Sequence, residues 1–170
     1  MRKNIKITAL LLSICISQFS SASAQNFSVK IFRELLFLPS VDSVDFFLKP
    51  YNYAFSKKGK LITNNTQYDY YIFENSDSAN GVKEQIAVLK NSNTSRTTIP
   101  TIRYVSNSSR HFVDLENELD SLPNVTVTGV SNTGNCTIRE FNLGLIYYDF
   151  SICEDEKKGK IYMLTVNIPL

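Results

Sequence analysis

Two segments carry large aromatic residues at consecutive positions: Tyr68-Asp69-Tyr70-Tyr71-Ile72-Phe73 and Tyr147-Tyr148-Asp149-Phe150. Aromatic and β-branched runs of this length favour strands. A strand sends successive side chains to opposite faces, so neither segment can bury all of its rings in one core. Tyr68, Tyr70 and Ile72 fall on one face, Tyr71 and Phe73 on the other. Tyr147 likewise opposes Tyr148 and Phe150. The chain therefore needs a sheet with one packed face and a second face that is either covered by another layer or offered to solvent. Tyrosine tolerates exposure and is enriched in recognition surfaces. Tyr68, Tyr70 and Tyr147 are accordingly the candidate binding residues, with a purely structural role as the competing reading.

The remaining pattern fits an antiparallel sheet with a few helices. Strands are expected over 84–90, 99–105, 125–130, 136–141, 145–153 and 160–168. A short strand at 53–56 is expected to turn at Lys57-Lys58-Gly59-Lys60 and pair back through 61–63. Ser40 is a good N-cap for a helix over Val41–Leu48, and Pro50 stops it. Phe112, Leu115, Leu119 and Leu122 recur at helical spacing, with Asp114, Glu116, Glu118 and Asp120 on the other side, until Pro123 ends that helix. Residues 26–38 are dense and apolar, and their period does not separate strand from helix. All six glycines are expected at or beside turns. The fold class is α+β: an antiparallel sheet packed with helices, built as one compact domain or as two tandem helix-plus-three/four-strand halves, 25–106 and 107–170. A helix running into Pro, Asn and a strand occurs twice, at residues 47–53 and 121–125. In layout alone this order resembles the tandem helix-plus-four-strand organisation of secreted β-lactamase inhibitor proteins.

The first 24 residues have the form of an address. Arg2, Lys3 and Lys6 precede an apolar run from Ile7 to Ile16, and Ala22-Ser23-Ala24 forms a small-residue cleavage site. The run is too short to span a bilayer. Cleavage is expected after Ala24, which makes the mature chain secreted or periplasmic, with no transmembrane segment. A lipoprotein processed at Cys15 is the weaker alternative, because Ile14 stands where a small residue belongs.

Cleavage changes the charge. The whole chain has 18 basic and 16 acidic residues, but the leader holds three of the basic ones and none of the acidic. No basic stripe remains, so nucleic acid is not an expected partner. Of the three cysteines, Cys15 leaves with the leader. Cys136 and Cys153 are then expected to form one disulfide. If the hairpin between them centres between Gly144 and Leu145, they face each other across adjacent strands.

Catalytic patterns are scarce. His111 is the only histidine, so common nucleophilic designs would hang on it. Asp114, three residues on, would be its orienting carboxylate; a partly exposed helix-start residue is the plainer reading. Glu74, Glu84, Glu140 and Asp149 lie on strands and would serve carboxylate hydrolysis if two of them converged. Asp149, Glu154, Asp155 and Glu156 form an acidic stretch, and residues 75–81 superficially resemble a calcium loop without its spaced carboxylates; solvated turns explain both better. No pattern implies a metal or a cofactor. Asn26, Asn64, Asn93, Asn107, Asn124 and Asn135 open N-x-Ser/Thr sequons, and Ser43, Ser78 and Ser121 sit in Asp-Ser-apolar sites. The function expected is an exported, non-enzymatic binding protein for a protein or other extracytoplasmic macromolecule. A small carboxylate-dependent hydrolase and a structural envelope protein are the alternatives.

Overall fold

A computed structural model describes residues 27–63, 66–75, 83–92, 99–157 and 159–169. The expected leader, its cleavage site and most of the 75–81 loop lie outside the described residues. Eight strands form one sheet: β1 (Tyr53–Thr63), β2 (Thr66–Asn75), β3 (Glu84–Asn91), β4 (Thr101–Ser106), β5 (Val125–Thr133), β6 (Cys136–Leu143), β7 (Ile146–Asp155) and β8 (Gly159–Asn167). Their order is β1-β2-β3-β4-β8-β7-β6-β5, and every neighbouring pair is antiparallel. The chain therefore lays down four strands inward from one edge and four inward from the other, and the two sets meet at β4 and β8. The helices are α1 (Val29–Leu35), α2 (Val41–Leu48) and α3 (Ser109–Ser121), and a short 3-10 turn at Lys49–Tyr51 leads from α2 into β1. The α+β class with an antiparallel sheet holds. Among the described residues no helix is long and apolar enough to cross a membrane.

All three helices pack on one face of the sheet. Val29, Phe32 and Leu35 of α1, Val44 and Leu48 of α2, and Phe112, Leu115 and Leu119 of α3 are buried against Phe73, Ile86, Ile102, Tyr104, Tyr148, Phe150 and Leu164. Removing this apolar surface from water is the main stabilising term. Polar ties add direction. Ser40 Oγ caps α2 by accepting from Ser43 N at 3.1 Å. Ser28 supplies no side-chain cap to α1; Glu118 of α3 reaches across instead and accepts from Val29 N at 2.9 Å, satisfying a donor left over at the helix start. Arg139 of β6 holds α3 through Glu116 at 2.9 Å and Asp120 at 3.3 Å. Three of the four acidic residues on the other side of α3, Glu116, Glu118 and Asp120, are thus engaged.

Two expectations fail. Residues 53–56 and 61–63 are not two strands around a charged turn; β1 runs unbroken from Tyr53 to Thr63, with Lys57-Lys58-Gly59-Lys60 inside it. The turn residues are overridden because β2 pairs along the whole length and the lysines lie at the sheet edge, where their charge stays in water. A one-residue bulge at Ser56 absorbs the mismatch. The glycines correct accordingly, since Gly59 and Gly129 lie within strands. The Tyr70 ring lies across Gly59, and a Cβ there would collide with it. The open choice at 26–38 resolves as helix over Val29–Leu35.

The β6–β7 register is the one expected. Phe141 opposes Tyr148, Glu140 opposes Asp149, and Cys136 opposes Cys153. The two cysteines are disulfide-bonded, with Cα atoms 4.0 Å apart.

Candidate functional site

The face turned away from the helices is assembled by the pairing register, because directly opposed residues share a face. Its central row reads Ile72, Ala87, Arg103, Thr165, Asp149, Glu140. On one side of it stand Tyr70, Leu89 and Thr101, continued by Asn167, Tyr147 and Asn142. On the other stand Val105, Met163, Ser151 and Ile138. Tyr68 lies one pair further out on β2, opposite Leu61 and Asn91. The three tyrosines singled out from sequence therefore share one face. None of them, nor Ile72, Val105, Ile138 or Met163, belongs to the core that the helices cover. Tyr71, Phe73, Tyr148 and Phe150 point the other way into that core.

Charge on this face is unbalanced locally. Arg103 makes no ion pair among the described residues, and its Nε is enclosed without an acceptor. Two and three strands away, Asp149 and Glu140 oppose each other as like charges. Burial, and then the Glu140 carboxylate, raise the Asp149 pKa above the ordinary value. The opposed pair is the one place where two of the four strand carboxylates are brought together. Glu74 accepts from Gln85 Nε2 at 2.9 Å, and Glu84 lies on the helix-covered face. Sequence reasoning singled out the tyrosines but missed Arg103; its alternation with Ile102 and Tyr104 was the available signal.

A second polar centre lies under the helices. Glu84 is only 6% exposed, yet its carboxylate meets five donors. Oε2 accepts from Tyr53 Oη at 2.8 Å and Asn75 Nδ2 at 3.3 Å. Oε1 accepts from Tyr104 Oη and from Ser106 Oγ at 3.4 Å, and meets His111 Nδ1 at 2.6 Å. Burial pushes the Glu84 pKa up, but the hydrogen bonds from Tyr104, His111 and Tyr53 outweigh it and hold the carboxyl below its ordinary range. Burial and the adjacent carboxylate drive both tyrosine hydroxyls far up, so they stay protonated donors. His111 therefore has an orienting carboxylate, but it is Glu84, 27 residues away in sequence, and not Asp114, which is exposed. The obvious nucleophile beside it, Ser106, is 1% exposed and committed to Glu84 and to Ser108 N. The arrangement ties β1, β2, β3, β4 and α3 together and presents no free nucleophile.

The acidic stretch near the last hairpin divides. Asp149 belongs to the open face, while Glu154, Asp155 and Glu156 line a groove of about 410 Å³ with Asn135, Gly159 and Lys160. Among the described residues no group of three or more His, Cys, Asp or Glu is placed to hold a metal ion. The chain matches no family model, no curated protein and no solved structure.

Proposed function

We propose that the chain is an exported binding protein that takes a protein partner on the open face of its sheet, without catalysis. The observation that carries the reading is the gathering of Tyr68, Tyr70 and Tyr147, from β2 and β7, on the face that no described helix covers. Tyrosine supplies large contact area with few rotatable bonds and a hydroxyl to pair at a wet rim. Arg103 and the Glu140–Asp149 pair set a polarity across the middle of that face. A partner presenting a carboxylate to Arg103 and a lysine or arginine to Glu140 and Asp149 satisfies both.

Two features support reading the chain as two copies of one helix-plus-four-strand unit. Among the described residues, Asn52 and Asn124 are the non-glycine residues with positive φ, and each stands one residue before the first strand of its set. β1 and β5 each carry a bulge, at Ser56 and Thr128, at the same distance from those asparagines. In that reading the open face is one surface made continuous by the β4–β8 seam, large enough for a partner spanning both units.

Export rests on the leader pattern and on a disulfide that persists in oxidising compartments. N-terminal sequencing of the exported chain should begin at Gln25; a lipid on Cys15 would replace that assignment. For binding, the purified protein is immobilised and used to capture proteins from its native envelope or medium. The expected result is a partner retained by the wild type and by Ile62→Ser on β1, and lost with Tyr68→Ala/Tyr70→Ala/Tyr147→Ala and with Arg103→Glu. A partner that survives both open-face variants refutes the surface.

A further inference from the structure

The sheet has two edges, and they are treated differently. β1 carries exposed Lys57, Lys58 and Lys60, and the backbone N–H of Phe55 is taken by Asp45 Oδ1 of α2 at 3.3 Å. Charge and a covered donor are two of the devices by which natural sheets keep other strands from adding to an edge. β5 has neither. Its sequence, Val-Thr-Val-Thr-Gly-Val-Ser-Asn-Thr, holds no charged residue and no proline. Val127 and Val130 are 49% and 67% exposed. The residue of α3 corresponding to Asp45 is Glu116, since each directly follows a buried position one turn ahead of the next: Val44 and Leu48 in α2, Leu115 and Leu119 in α3. Glu116 is committed to Arg139 on β6. Among the described residues no side chain caps a β5 backbone group.

We propose that β5 is a self-association edge: two copies of this chain pair β5 to β5, antiparallel, and extend the sheet across a two-fold axis. Self-complementarity favours a second copy as occupant. An isologous contact places the same strand on both sides, and a neutral β-branched strand meets its twin without charge repulsion, valine beside valine. A foreign extended peptide is selected through its side chains, and β5 carries no charged residue to select one. Head-to-tail growth is blocked because the other edge, β1, is lysine-bearing and capped, so association stops at two. Strand pairing alone buries less than a standard interface, which makes the dimer concentration-dependent. The proposal is independent of what binds the open face.

Sedimentation velocity on the purified protein, over about a hundredfold concentration range, tests it. The average mass should rise from one chain to two and no further. Val130→Lys should weaken association by at least about tenfold, as a charge on an edge strand does, and Val127→Lys should do the same. Ile62→Lys on β1 should leave it unchanged. Both valines are exposed, and unchanged far-UV circular dichroism will confirm that the variants stay folded. In the wild type, the amides of residues 126–131 should gain hydrogen-exchange protection with concentration. A single-chain mass throughout, a dimer that Val130→Lys leaves intact, growth beyond two chains, or a dimer broken by Tyr70→Lys instead would each overturn the proposal. So would a monomer that carries a bound peptide along β5.

Discussion

Two carboxylate centres on opposite faces of the same sheet have opposite electrostatics. Glu84 is nearly sealed under the helices, whereas Glu140 and Asp149 lie half-buried on the open face. Burial alone would raise the pKa at both, and more at Glu84. Instead Glu84 is lowered and Asp149 is raised. The difference lies in the neighbours. Tyr53, Tyr104, Ser106, Asn75 and His111 all point donors at Glu84, while Asp149 faces another carboxylate. A buried charge that is fully hydrogen-bonded acts as a structural node; a half-buried like-charge pair is a local frustration that a cationic partner would relieve.

The largest test of that contrast is Glu84→Ala. It strips two buried tyrosine hydroxyls of their acceptor, and breaking a buried charged network on one side costs about 3–5 kcal/mol. Urea unfolding should show it as a lowered midpoint; a loss under 1 kcal/mol would mean that the donors find water instead. Leu119→Ala, on the helix that covers the same face, should cost about 2–5 kcal/mol. A change within error would remove α3 from the core. At the open side of the sheet, Cys136→Ala/Cys153→Ala should cost about 3 kcal/mol, by the loop-closure argument, and leave no binding defect of its own. The wild type should show no free thiol before reduction.

The smallest effect has the opposite sign. Asp149→Asn removes like-charge repulsion and should stabilise by about 0.2–1 kcal/mol at neutral pH. The pH dependence separates the two centres further. The folded pKa of Glu84 is below its unfolded value, so its stabilisation is present above the ordinary glutamate pKa and lost as pH falls through the folded one. Asp149 is raised, so its stability contribution is fully present below the unfolded aspartate pKa and lost as pH rises through the folded value. Wild-type stability should therefore gain from Asp149 on mild acidification and then lose from Glu84 as the pH falls further. Asp149→Asn should flatten the first limb, and Glu84→Gln the second. Unchanged limbs in both variants would assign the titration to other groups.

Much of this architecture was legible from local pattern. Alternation in β2 and β7 separated the faces correctly, and the hairpin arithmetic that opposes Cys136 to Cys153 also opposes Glu140 to Asp149. Helical spacing identified Phe112, Leu115 and Leu119. β1 was misread because Lys-Lys-Gly-Lys has turn chemistry, and only its ten-residue partner β2 makes extension worth more than turning. Where the same residue types recur at 157–160, Lys157 lies in a turn and Gly159 and Lys160 open β8.

Sequence by itself determined the alternation of faces, the helical stripes, the disulfide register and the pool of tyrosines, because these follow from periods of 2 and 3.6 and from short separations along the chain. Only the tertiary structure decided which face the helices cover, that Arg103 stands between Ala87 and Thr165 with its Nε enclosed and no acceptor among the described residues, and that Glu84 rather than Asp114 meets His111. It also decided that β1 and β5 are the two edges and that Asp45 guards one of them alone. Those outcomes depend on strand order across the sheet. Strand order is a competition among distant pairings whose energies accumulate over whole strands, and no local window records it.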